Sequence, residues 1–178
     1  MTIEARAVEL SAQDLRVVAR YAAESAEETL PIFEDDHPDD PRPRLAVEAA
    51  RAFAEGARRT RRQQASALGA HQAAREAATE AARQAACAAG HAAASAYLHP
   101  LAKSTQVRHI LGAAAHAARA AELAAGGDPS VGPQRIEQAR RRATPALVAV
   151  LRRYPTAPSG GNRVAELMSA LDASLRSL

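Results

Sequence analysis

Tryptophan is absent from the 178-residue chain, and the other large aromatics amount to two Phe and three Tyr. With so few aromatic faces there is no platform for stacking unpaired bases, which argues against a single-strand nucleic-acid binder of that kind. The one cysteine, Cys87, cannot form an internal disulfide, so stability must come from packing, consistent with a reducing compartment. Leu, Ile, Val and Phe together number only 30. That scarcity points toward disorder, but disorder also calls for high net charge, and here the net charge is +3. Met1 to Leu10 carries acidic residues and no apolar run, so it is not expected to act as a secretory signal, and the expected location is the cytoplasm. Gln84 to Ala102 is uncharged over a length that could span a bilayer, but alanine diluted by Gln84, His91, Ser95, His99 and Pro100 inserts poorly.

What is abundant is alanine, 48 residues. Alanine has the highest helix propensity, and Gly and Pro fall mostly between alanine-rich runs, so the expected fold is all-α, a compact bundle of about seven or eight helices. Residues 1–10 read as a separate N-terminal segment and 11–178 as a single helical domain. Charge is unevenly spread, with eleven acidic and three basic residues in the first forty and a basic remainder.

Ser11 and Asp14 form a capping-box start for a helix from about Ala12 to Leu30, which Pro31 should end. Pro38, Pro41 and Pro43 should hold the next stretch extended before a helix from Pro43 to Gly56. Further helices are expected over Gln63–Ala78, from Thr79 to just before Pro100, from a Ser104 or Thr105 cap to Gly126, from Pro133 to Arg142, and from Thr144-Pro145 to Tyr154. In the fourth, Ala82, Ala85, Ala89, Ala92, Ala93 and Ala96 share one side, and bare methyl groups there let a partner helix approach closely. The fifth has two uncharged faces, which suits a central position. Val164, Leu167, Met168, Leu171, Leu175 and Leu178 make a last amphipathic stripe, covering a groove in this chain or in a second copy as a homodimer.

Two constellations could carry chemistry. The acidic string Glu34, Asp35, Asp36, Asp39 and Asp40 has carboxylates at spacings that can hold a magnesium ion, but the chain lacks a second metal motif and an aromatic pocket. A solvated loop paired with Arg42 and Arg44, or a partner-binding patch, weighs more. Cys87 and His91 lie one helical turn apart, and His109 and His116 share a face of the next long helix. Together they would supply a one-sulfur, three-nitrogen set or a small-molecule pocket, although single helical histidines are more often satisfied packing residues. The basic clusters Arg58–Arg62, Arg140–Arg142 and Arg152-Arg153 would favour nucleic acid only if the fold gathered them on one surface. No phosphate loop, nucleophile elbow or catalytic carboxylate pair occurs, so neither an enzyme nor a cofactor is indicated.

Several segments jointly resemble a bacterial immunity-protein family: Leu30-Pro31-Ile32-Phe33-Glu34, the run Pro38 to Arg44, Ala49 to Gly56, Gly90-His91-Ala92-Ala93-Ala94, and His109-Ile110-Leu111-Gly112-Ala113-Ala114. That family consists of small alanine-rich helical domains assigned to polymorphic toxin systems, and the similarity runs from about Leu10 to the final helix. This chain departs in having Phe53 where such sequences often place a tryptophan. The resemblance implies a non-enzymatic cytoplasmic protein that binds a cognate toxin and protects its producer. The acidic string would then be the contact patch for a basic toxin, with Phe33 as its apolar anchor if exposed.

Overall fold

The computed structural model describes residues 6–178 and is all-helical. The α-helices are α1 (Ala12–Glu27), α2 (Leu30–Asp36), α3 (Arg42–Ala54), α4 (Arg61–Glu76), α5 (Glu80–Ala94), α6 (Val107–Ala124), α7 (Val131–Arg142), α8 (Pro145–Leu151) and α9 (Arg163–Arg176). Most boundaries follow from local chemistry. Ser11 and Asp14 cap α1 reciprocally, at 2.9 and 3.0 Å, and the Thr79 and Thr144 hydroxyls accept from Ala82 and Leu147 N–H. Gly126 and Gly127 take positive φ values of 73° and 82° after α6, a conformation that glycine adopts without strain.

Two expectations are corrected. The stretch after Leu30 is helical, not extended, because Pro31 sits in the first turn of α2, where its missing N–H has no bond to make. This adds a ninth helix among the described residues. Neither Ser104 nor Thr105 caps α6, which is entered through a 3₁₀ turn, Ser104–Gln106. Where it is described, the N-terminal segment touches the helices: Ala7 bridges Leu101, Val8 N–H donates to the Pro100 carbonyl at 2.9 Å, and the Val8 side chain is buried in the core. Residues 1–5 of that segment lie outside the described residues.

Helices α1, α3, α4, α5 and α6 run up and down as antiparallel neighbours. Arg20 of α1 reaches Ala54 of α3, Gln63 of α4 reaches Ala49 of α3, and Gln84 of α5 meets His116 of α6. The five interlock through small side chains. Ala82, Ala85, Ala89, Ala92, Ala93 and Ala96 are all fully buried, so methyl-to-methyl packing replaces the leucines that the composition lacks. Helix α6 is the central wall: twelve of its eighteen residues are buried, and it packs against α1 and α5 on one side and α7 and α9 on the other. Beyond it lies the leucine-rich half of the core, with Leu111, Leu147, Leu151, Leu167, Leu171 and Leu175. The last stripe is used within this chain through Leu167, Leu171 and Leu175, while Leu178 stays exposed. No helix among the described residues is long and apolar enough to cross a membrane.

Candidate functional site

The acidic string forms one end of the bundle, built from α2 and the 37–41 turn. Its carboxylates have different fates. Glu34 accepts two bonds from Arg44, at 2.6 and 2.7 Å. Asp40 accepts from Arg42 at 2.6 Å, and Arg42 reaches on to Glu76 of α4 at 2.5 Å. The Arg42 guanidinium holds the Asp40 carboxyl below its ordinary range. Asp36 accepts from the Thr79 hydroxyl at 2.6 Å, and the His37 ring accepts the Ala78 N–H at 3.0 Å through Nε2. Asp35, Asp36 and Asp39 remain exposed. The string is thus strapped to α3 and to the α4–α5 turn through Glu34, Asp36, His37 and Asp40. Phe33 does not serve as an exposed anchor. It is 1% exposed, stacks on His37 at 4.8 Å between ring centres, and packs among Ala73, Ala74, Ala82 and Ala85. On an amphipathic seven-residue helix, one side must face the core, and the largest apolar residue takes it.

The second constellation runs across the middle of α4, α5 and α6. His91 meets the His116 ring nearly parallel, with centres 4.8 Å apart, and meets His71 of α4 edge-on at 5.3 Å. Two of the imidazoles, those of His71 and His91, lie over a glycine of the neighbouring helix. A Cβ on Gly90 would come within 2.7 Å of the His71 ring, and one on Gly112 within 2.8 Å of His91. His116 Nδ1 lies 2.6 Å from Gln84 Oε1, so the ring donates and the amide oxygen accepts. Burial pushes the His91 imidazole well below its ordinary range and lowers His116 to about 4. It also lowers His71 and His109, and arginines add to this effect: Arg75 beside His71, and Arg108 beside His109 and His91.

Of the set expected from sequence, the structure brings His91 and His116 together and supplies His71, which the sequence reading missed. The missed signal was glycine: in the interior of an alanine-rich helix it costs stability, and Gly90 and Gly112 mark a close approach. His109 takes part in none of the ring contacts among the described residues, and its buried Nδ1 has no partner there. Cys87 stands half-buried on the same stripe of α5, where desolvation pushes its thiol up, away from nucleophilic character. Among the described residues no group of three or more His, Cys, Asp or Glu is placed to hold a metal ion. The main cavities are lined by none of these histidines, and the three rings lie half-buried between α4, α5 and α6.

The basic clusters do not converge. Arg140 and Arg141 bond Glu137, while Arg142 pairs with Glu28 and lies over the Tyr21 ring. Arg153 pairs with Asp14, and Arg59 bonds the Ala96 carbonyl over the Tyr97 ring. Arg58, Arg61 and Arg62 are exposed at the end of the bundle opposite the acidic string.

No curated protein and no solved structure matches the chain. Residues 9–146, however, match a family model. That span takes in α1 to α7, the strapped acidic end and the whole histidine row, and the family is described as Imm-5 like putative immunity protein. The chain belongs to that family.

Proposed function

We propose that this protein is an immunity factor that binds a protein toxin in the cytoplasm of the producing bacterial cell and neutralises it without catalysis. Membership of the immunity family is the observation that carries this reading. The strapped acidic end supports a particular contact surface: Asp35, Asp36 and Asp39 face solvent, flanked by Glu34 and Asp40, which Arg44 and Arg42 hold in place. A preorganised acidic surface suits a cationic toxin domain, because complementary charge speeds encounter and disfavours wrong partners. Binding then loses little entropy to loop ordering.

The test is co-expression with the product of the neighbouring gene. The expected result is rescue of growth and a complex that copurifies in fixed stoichiometry. An uninhibited toxin with no complex would refute the role. With a complex in hand, Asp35→Asn/Asp36→Asn/Asp39→Asn should slow association about tenfold at low salt and much less at high salt. Equal association rates at both salt concentrations would remove the acidic end from the interface while leaving the immunity role standing.

A further inference from the structure

The histidine row takes no part in that proposed contact, yet it is built with unusual specificity. Three imidazoles from three helices touch in series, at 5.3 and 4.8 Å between ring centres. Two of them occupy places that only glycine leaves open. Glycine inside a helix costs about 1 kcal/mol relative to alanine, in a chain otherwise filled with alanine. The arrangement holds together only while the rings are neutral. Two imidazolium ions stacked at this separation would repel each other, and protonation of His91 would place a charge between two other rings in a partly dehydrated seam.

One carboxylate reaches the row at one remove: Glu80 accepts from the Gln84 amide at 2.7 Å, and Gln84 in turn meets His116. On this side of α5, helix α4 presents His71 and Arg75, and α6 presents Arg108, His109 and His116. Helix α5 itself adds Gln84, Cys87 and His91, with Glu80 and Arg83 acting on the thiol. The charges that act directly on the histidines, Arg75, Arg108 and the neighbouring rings, disfavour protonation. Helices α1 and α3 meet α5 on its far side through alanine: Ala22, Ala23, Ala46 and Ala50 against Ala88, Ala89, Ala92 and Ala93.

We propose that the His71–His91–His116 row is an acid-sensitive latch, closing α4, α5 and α6 together when neutral and releasing them when protonated. The direction follows from linkage. The half-buried rings bind protons less readily than the same rings in the unfolded chain, so the unfolded state takes up protons first as pH falls. Stability is therefore complete above the ordinary imidazole value near 6.5 and is lost on the way down toward 4. For His116 alone, the folded-to-unfolded ratio drops about 30-fold between pH 7.5 and 5. This window lies above the one in which the arginine-held carboxylates Asp14, Asp40 and Glu122 are protonated. Opening the latch would also slacken the α4–α5 turn, where Ala78 and Thr79 hold His37 and Asp36 of the acidic end.

The experiment measures urea unfolding of the full chain at pH steps from 7.5 to 4.5, for the wild type and for His116→Gln, which retains an amide able to bond Gln84. The wild-type folded-to-unfolded ratio should fall at least 30-fold by pH 5, and the variant should recover about tenfold or more of that loss. Superimposable pH profiles would overturn the proposal. If the variant does not fold, imidazole titration by NMR and amide exchange on the wild type decide the matter. The latch requires three depressed imidazoles and, at pH 5, exchange that quickens in α4 to α6 before α7 to α9. Ordinary titration of the three rings, or uniform exchange across the protein, would sink it.

Discussion

Helix α9 lies outside the span that matches the immunity family, yet its removal should unfold the protein. Its buried face is Leu167, Leu171 and Leu175, at 2%, 0% and 0% exposure, set against α6 and α7. A fully buried leucine contributes roughly 1.5–3 kcal/mol relative to an exposed one, so the three together contribute about 5–9 kcal/mol. The helix also brings Arg163, whose Nη2 lies 2.9 Å from the carboxylate of Glu122, itself 2% exposed. Without α9, that carboxylate keeps only Arg119, and a buried charge losing a partner costs a further few kcal/mol. Whole-domain stability is about 5–15 kcal/mol, so the expected loss is comparable to all of it. A chain ending at residue 158 should show weakened helicity by circular dichroism and no cooperative urea transition. A truncated chain that unfolds cooperatively within about 0.5 M urea of the full-length midpoint would refute this account of the core.

Gly132→Ala should destabilise despite the gain in helix propensity, because the new Cβ falls on the Glu122 carboxylate that Arg119 and Arg163 hold in place. A loss of about 2 kcal/mol in urea unfolding is expected, and a gain would show that the carboxylate is free to move. Gly112→Ala should likewise cost about 1–2 kcal/mol, since His91 is wedged between two other rings. Adding His91→Ala should relieve much of that loss in a double-mutant cycle, and strict additivity would contradict the notch. Phe33→Ala should cost about 3–5 kcal/mol, as a core truncation does. Unchanged stability would return Phe33 to the surface.

The helices were legible where the punctuation is local. Ser11-Asp14, Thr79, Thr144-Pro145 and Gly126-Gly127 each act through atoms within four residues, and the structure uses all of them. Helix α2 was misread for a related reason: proline ends a helix in its interior but starts one in its first turn, and only the position of the turn decides which. The site was far less legible, because its chemistry depends on pairings remote in sequence. Whether an aspartate is a free charge or a strapped one depends on Arg42 meeting Glu76, 34 residues on, and on Thr79 meeting Asp36 across 43. Read alone, His71 is one more polar residue on a helix. It becomes part of a row only when α4 lies against α5 with Gly90 beneath the ring. In an alanine-rich chain, nearly every helix face is flat enough to accept several registers, so apolar periodicity specifies register weakly. The few side chains that break the methyl surface then fix it. Imidazole over glycine, amide to imidazole and guanidinium to carboxylate each fit at one offset, so the residues that resist reading from sequence are also those that select this bundle over its neighbours in register.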